Sequence, residues 1–307
     1  KTKEMRTSSK ISSSYDGLGI SILETHESTS PKGVIMFIHG LCGRKERQLP
    51  AMDYFTGKGY ICVGFDLRGH GDSVRKEDDR GYLYQAGKEG MIQDIGSVMK
   101  WIRRQYMNIP VFIVAHSLGS LAARTYIKRN DINIDGLILC GSPSYNPLSR
   151  IGIWIMKAIC LTGHSRARTG MLQNLVSAGY NRRFRREGWQ AWTCSDPEIR
   201  DMFENDQKCN IAITADCSLT LLELMAETYD KEGWKITNHE LPILFISGAE
   251  DPCMISMKRF HRSVGFMNTV GYHNVSSIIY PGMRHEVLNE KGKEAIWDEM
   301  LAFLQNI

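Results

Sequence analysis

Val111-Phe112-Ile113-Val114-Ala115-His116-Ser117-Leu118-Gly119 runs directly into Ser120-Leu121-Ala122-Ala123-Arg124. A β-branched run that stops at a small residue and gives way to helix-forming residues predicts a strand turning sharply into a helix. Ser117 stands at the tip of that elbow, on a strained backbone, with a helix N-terminus beneath it. Small residues two places before and after the serine let neighbouring backbone approach the turn. Glycine at both places is the usual form, and Ala115 is the mildest departure from it. Six residues do not make a site, so the rest of the chain must supply partners for Ser117.

A chain of 307 residues can bury a full core and matches one large α/β domain plus an insertion. Its 42% hydrophobic and 23% charged residues place it with soluble globular proteins. The net charge of +4 is spread along the chain and gives no footprint for nucleic acid. Arg182-Arg183-Phe184-Arg185-Arg186 is the one local basic cluster. A solvated helix face explains it most simply, with an anionic headgroup contact as the alternative. The eight cysteines show no C-x-x-C and no metal-ligand spacing, and Cys62, Cys140 and Cys160 lie in apolar runs as small hydrophobes. That usage reads as a reducing, cytoplasmic setting. Lys1 to Ser14 is polar without an apolar signal core, and the absence of an initiator methionine leaves processing open. Ile151 to Thr162, the longest apolar stretch, is too short to span a bilayer and contains Lys157.

Short runs rich in valine and isoleucine alternate with longer helical patterns. Ile20 to Leu23 reads as one arm of an early hairpin; Val34–Ile38, Ile61–Phe65, Val111–Val114, Leu137–Cys140, Ile243–Ile246 and Ser277–Tyr280 read as further strands. Helical patterns cover Leu49–Lys58, Met91–Tyr106, Leu118–Lys128, Ile255–Val264 and Lys291–Gln305. Apolar strands separated by helices predict a mostly parallel sheet covered on both faces. The alternation breaks between Asn146 and Thr237, which is helical in character. The expected organisation is a core of residues 1–145 and 238–307 with an inserted helical cap of residues 146–237.

A serine hydroxyl needs a base to take its proton, and the base needs an orienting acid. In open α/β sheets such groups gather beyond the carboxyl ends of the strands. Ile243–Ile246 leads into Ser247-Gly248-Ala249-Glu250-Asp251-Pro252, a small-residue turn carrying two acids. Asp251 is preferred over Glu250 for its place in the turn, although a plain helix N-cap would explain it equally well. The last strand leads through Pro281-Gly282 to His285, placed in a turn before the final helix. A tetrahedral intermediate needs two N–H donors. Leu118, after the serine, offers one, and Leu41, in the turn that follows Phe37-Ile38-His39-Gly40, offers the other. His39, Arg68, His70 and His116 read as structural, with His116 directed away from Ser117.

Together His39-Gly40, the Asp66–Ser73 loop, the Ala115–Gly119 elbow, Gly248–Asp251 and Gly282–His285 resemble the monoacylglycerol lipase/lysophospholipase branch of the α/β-hydrolase superfamily, bacterial type. The resemblance runs from about Ser12 to the end of the chain, and Ser, Asp, His is the chain order of that superfamily. It implies a serine esterase with Ser117, Asp251 and His285 as triad, working through an acyl-enzyme without metal or organic cofactor. A cap would shape the acyl pocket, and Trp154, Trp189 and Trp192 are the candidate lining residues. The expected partner is a small ester or lipid, not nucleic acid. Peripheral membrane contact through the cap stays open, as does the oligomeric state. Two rivals remain: an aminopeptidase or amidase using Glu198, Asp201, Glu204 and Asp206 to hold an amine, and a non-catalytic binding protein of the same fold.

Overall fold

The computed structural model describes residues 5–27 and 30–307, so the first four residues of the polar N-terminal stretch lie outside the described residues. The strands are β1 (Met5–Ser12), β2 (Gly19–His26), β3 (Val34–Ile38), β4 (Ile61–Phe65), β5 (Val111–His116), β6 (Gly136–Cys140), β7 (Ile243–Gly248) and β8 (Val275–Tyr280). The helices are α1 (Leu49–Thr56), α2 (Gly87–Gln105), α3 (Leu118–Asn130), α4 (Ser149–Ile159), α5 (Gly170–Asn181), α6 (Pro197–Glu204), α7 (Ala215–Thr228), α8 (Met257–Val270) and α9 (Lys293–Gln305). The strands form one sheet in the order β1-β2-β4-β3-β5-β6-β7-β8. β2 pairs antiparallel with β1 and β4, and all other neighbours are parallel. This is the α/β-hydrolase fold.

Successive residues of a strand face opposite sides of the sheet, so an apolar strand must be covered twice. β3 shows the division. Val34, Met36 and Ile38 pack with Ile95, Val98 and Met99 of α2 and Leu121 and Ala122 of α3. Ile35 and Phe37 pack with Met52 and Phe55 of α1 and Ile296 and Met300 of α9. Ala115 belongs to the first of these layers and is wholly buried, so its methyl replaces a glycine hydrogen with core contact.

α8 begins two residues later than the sequence pattern suggests. Ile255 adopts φ 63°, which interrupts the helix, and Ser256 caps the new start by accepting the Arg259 N–H at 3.3 Å. Residues 146–237 contain α4 to α7 and no named strand, only an isolated bridge between Arg168 and Thr214. α7 packs against α4 and also against α2 and α3 of the sheet layer.

The glycine-punctuated loop after β4 is fixed by buried charge. Arg68 reaches Asp94 of α2 through Nε at 2.6 Å and Nη2 at 2.9 Å, with both residues wholly inaccessible. Gly71 has φ 49°, and a Cβ there would stand 2.3 Å from the Asp66 carboxylate. Burial pushes the Asp94 carboxyl up against the pull of Arg68. Removing one partner of a buried pair strands the other, so Arg68→Ala should destabilise the fold by about 3–5 kcal/mol. Urea unfolding checks this, and a loss below about 1 kcal/mol would mean that water resolvates Asp94.

Candidate active site

At the end of β5 the backbone turns through Ser117, which has φ 51° and ψ −118°, and α3 starts at the next residue. A positive φ in a non-glycine residue is strained, and here the flanking strand and helix impose it. The Ser117 N–H donates to the Cys140 carbonyl at 3.0 Å, which ties the tip to β6. Gly119 is obligatory: a Cβ there would lie 2.5 Å from the His39 carbonyl and 2.7 Å from the Ile38 carbonyl.

His285 Nε2 is 2.8 Å from Ser117 Oγ, and its Nδ1 is 3.0 Å from Asp251 Oδ2. The two oxygens of the Asp251 carboxylate make separate contacts. Its Oδ1 caps the following turn by accepting the Cys253 N–H at 2.8 Å, while Oδ2 faces the imidazole. Glu250 turns outward to Arg183 at 3.1 Å. Both Asp251 and His285 are buried. Burial alone would push the His285 pKa down, but the Asp251 carboxylate outweighs it and holds the pKa well above the ordinary histidine value.

The loop after β3 closes on the elbow. A Cβ on Gly40 would stand 2.8 Å from His116 Nδ1 and 3.0 Å from Ser117 Cβ, so only glycine allows this approach. His39 shapes the loop: its Nδ1–H donates to the Gly40 carbonyl at 2.7 Å, and Nε2 accepts the Leu67 N–H at 2.9 Å. Burial, then the neighbouring His70, hold its pKa well below the usual value, which keeps it neutral for that task. Among the described residues, neither Leu41 N–H nor Leu118 N–H has a backbone acceptor. Leu118, as the first helical residue, has no intrahelical partner to find.

His116 lies closer to the site than its strand position suggests. Its ring centroid is 4.8 Å from that of His285, and its Nε2–H donates to the His285 carbonyl at 3.1 Å. Burial, reinforced by the His285 charge, lowers its pKa to about 4, so it stays neutral and positions the histidine turn. Glu290 carries a second restraint that no sequence pattern marks. Its buried carboxylate accepts the Arg284 N–H and the Ser195 N–H, both at 2.9 Å, and so joins the histidine turn to residues 146–237.

A cavity of about 260 Å³ opens beside Ser117 and His285. Leu172, Val176, Ile213, Leu221, Leu222 and Met225 supply much of its apolar wall. Of the three tryptophans expected there, Trp192 lines it and packs on the His285 ring at 5.2 Å. The other two are corrected: Trp154 is 76% exposed on α4, and Trp189 is 46% exposed in an outer notch. On α4 Met156 takes the buried position, and in the turn region that holds Trp189 the buried aromatic is Phe184. None of Glu198, Asp201, Glu204 and Asp206 lines the cavity, and Asp206 is paired with Arg44 at 2.7 Å. Among the described residues, Glu286 is the one carboxylate on its wall, and it is ion-paired to Arg47.

All eight cysteines are free, and burial pushes the thiol of Cys42 up to about 12, which keeps it inert. Among the described residues, the grouping compact enough to hold a metal ion is Asp251, Cys253 and His285, with ligand atoms within 4.8 Å of one another. Two of these three are already hydrogen-bonded to each other. No helix is long and apolar enough to cross a membrane among the described residues.

Known proteins resemble this chain to different extents. Phospholipase YtpA of Bacillus subtilis is 23% identical over 283 residues, covering 91% of this chain and 97% of that protein. The lysophosphatidylserine lipase ABHD12 of Gallus gallus is 33% identical over 98 residues, 31% of this chain, and the match spans only 23% of that protein's length. A thermostable carboxyl esterase from Bacillus coagulans, solved in complex with glycerol, superposes with a TM-score of 0.89 at 22% identity, covering 98% of each chain. That likeness establishes the fold. The family model described as serine aminopeptidase, S33, matches residues 29–292, from the strand before His39 to beyond His285. The chain belongs to that family.

Proposed function

We propose that this protein hydrolyses carboxylic esters of the monoacylglycerol or lysophospholipid kind, with Ser117 as nucleophile, His285 as base and Asp251 as its orienting acid. The observation that carries the reading is the hydrogen-bonded Ser117–His285–Asp251 chain opening into an apolar cavity. His285 Nε2 takes the Ser117 proton as Oγ attacks the ester carbonyl, and Nδ1 keeps its proton, donating it in a hydrogen bond to Asp251. The Leu41 and Leu118 N–H groups receive the oxyanion. His285 returns the proton to the departing alcohol, leaving an acyl-enzyme. Water then attacks by the same route in reverse, releasing the fatty acid and restoring Ser117. Residues 146–237 serve as a cap, with α5 and α7 forming the acyl wall.

The family's description names aminopeptidases, and among the described residues the cavity wall offers no unpaired carboxylate for such a substrate. A free ammonium requires an available carboxylate in the cavity, and Glu286 is already neutralised by Arg47. The non-catalytic reading would need an incomplete or blocked triad, against the 2.8 and 3.0 Å contacts above. A parallel assay separates the enzymatic readings. Medium-chain monoacylglycerol should be turned over at least about 100-fold faster, by kcat/KM, than amino-acid naphthylamides. The reverse order would overturn the ester assignment.

A further inference from the structure

Asp251 and Cys253 lie in the turn that leaves β7, and His285 lies in the turn that leaves β8. The two strands are parallel neighbours, with Gly248 opposite Tyr280, so their carboxyl-end turns sit side by side. One ligand atom from each of Asp251, Cys253 and His285 falls within 4.8 Å of the others, and all three residues are buried. No spacing of the cysteines announces this set, because the histidine arrives on a different strand. The thiol is held in place from both sides of its own residue. The Cys253 N–H donates to Asp251 Oδ1 at 2.8 Å, and the Cys253 carbonyl accepts the Ser144 N–H at 3.0 Å. Cys253 and His285 both line the cavity beside Ser117, so a small ion in the cavity meets sulfur and imidazole first. Cys62 and Cys140 show the plain apolar use of cysteine, each buried on a strand among hydrophobic side chains. Cys253 has ionisable neighbours instead.

We infer that Asp251, Cys253 and His285 form an inhibitory site for a thiophilic divalent cation, with zinc the ion their chemistry matches. Sulfur, imidazole nitrogen and carboxylate oxygen are the donors zinc takes. Its bonds of about 2.0–2.3 Å put tetrahedral ligand atoms roughly 3.3–3.8 Å apart, so small side-chain rotations close the set around an ion. Calcium and magnesium need shells of several oxygen ligands, which one carboxylate does not supply. Charge favours zinc as well. The empty set carries the single negative charge of Asp251. The ion brings two positive charges, and the thiol gives its proton to water as sulfur binds, which leaves the buried cluster neutral.

The imidazole decides what binding does to the reaction. Without the ion, Nδ1–H donates to Asp251 Oδ2 at 3.0 Å, and bare Nε2 accepts from Ser117 Oγ at 2.8 Å. Nδ1 is the nitrogen that faces Asp251, so it is the one the ion meets. A metal on Nδ1 takes that lone pair, and the ring proton passes to Nε2. Nε2 is then a donor and has no lone pair for the Ser117 proton. The ion thus holds the wrong tautomer in place, and its removal restores the base.

The inhibitory effect rests on the triad reading, so binding is measured apart from turnover. Titration calorimetry of the Ser117→Ala protein with zinc chloride, in a buffer that does not chelate, should report one site of micromolar affinity or tighter. Adding Cys253→Ala to that protein should weaken binding at least about tenfold, and Cys253→Ser should act alike. Cys160→Ala is the control, because Cys160 is the partly exposed cysteine and lies outside the set; it should change nothing. Cobalt in place of zinc should give a thiolate-to-metal charge-transfer band that Cys253→Ala abolishes and Cys160→Ala keeps. On the wild type, micromolar zinc should block both fluorophosphonate labelling and p-nitrophenyl butyrate hydrolysis. EDTA should restore both, and magnesium and calcium should leave them untouched. Each variant is compared with its own zinc-free rate, so a lower basal rate does not mask the result. Absence of zinc binding, undiminished affinity without Cys253, equal relief by Cys160→Ala, or bound zinc with unchanged labelling overturns the inference. A wild-type protein that neither labels nor hydrolyses without zinc overturns the triad reading, while calorimetry still decides the metal site.

Discussion

Replacing Ser117 by alanine should lower kcat on p-nitrophenyl butyrate by about 10⁴- to 10⁶-fold while leaving the fold intact. The size follows from the reaction path. Without Oγ there is no acyl-enzyme, and His285 has no hydroxyl within its 2.8 Å reach to activate. What remains is positioning and the oxyanion donors acting on water. His285 Nε2 loses its hydroxyl partner at the cavity wall, where water can replace it, and the φ of 51° is held by backbone contacts that alanine keeps. A fluorophosphonate probe should label the wild-type protein and leave the alanine variant unmarked. Residual turnover above about 1% of wild type would remove Ser117 from the nucleophile's role.

Asp251→Asn should cost about 10⁴-fold in kcat and also move the pH profile. In the wild type the imidazole must lose its ring proton before it can act as base. That proton is on Nε2, and the Asp251 carboxylate at Nδ1 favours the charged ring that carries it, so activity should rise with pH through an apparent pKa above the ordinary histidine value. The stability linkage runs the opposite way. A histidine pKa raised by folding stabilises the protein fully below the unfolded value, and that contribution fades as pH rises through the folded pKa. Asparagine removes the carboxylate and leaves burial, which favours the neutral ring. The acid limb of the variant should therefore move to lower pH even as its plateau collapses. A pH–kcat/KM series on both proteins measures the shift. A limb that stays in place would show that Asp251 serves only as the cap of the Cys253 turn. Glu250→Gln is the control, since Glu250 faces Arg183 and should leave the limb unmoved.

Much of the site is legible because its residues sit where local chemistry betrays them. Ser117 follows a β-branched run and precedes a small residue, and Gly119 is required by the carbonyls of Ile38 and His39. Asp251 precedes a proline that opens the next turn, and His285 follows the last strand. Each position is written in five to ten residues of neighbouring sequence. The tryptophans are different. Trp154, on α4, and Trp189 and Trp192, in turns, are alike as apolar letters, and nothing local says which of them turns inward. α4 is decided by Gly152 meeting Leu222, a contact between residues 70 positions apart. Glu290, a single acid in a polar turn, acquires its role only when Ser195 arrives beside it. His116 is similar, because its partner is a backbone carbonyl 169 residues away.

The sequence by itself determined the alternation of core strands and helices, the sharp turn at the serine, and the acidic turn and the histidine that follow it. Periodicity and turn chemistry are short-range, and they act on the unfolded chain as they do on the folded one. Only the tertiary structure decided which acid of the turn meets the imidazole, which aromatic residue walls the cavity, and which apolar residues are left facing out. Those outcomes depend on burial and on charge brought together from distant segments. Before folding, water screens the one and solvates the other equally everywhere along the chain.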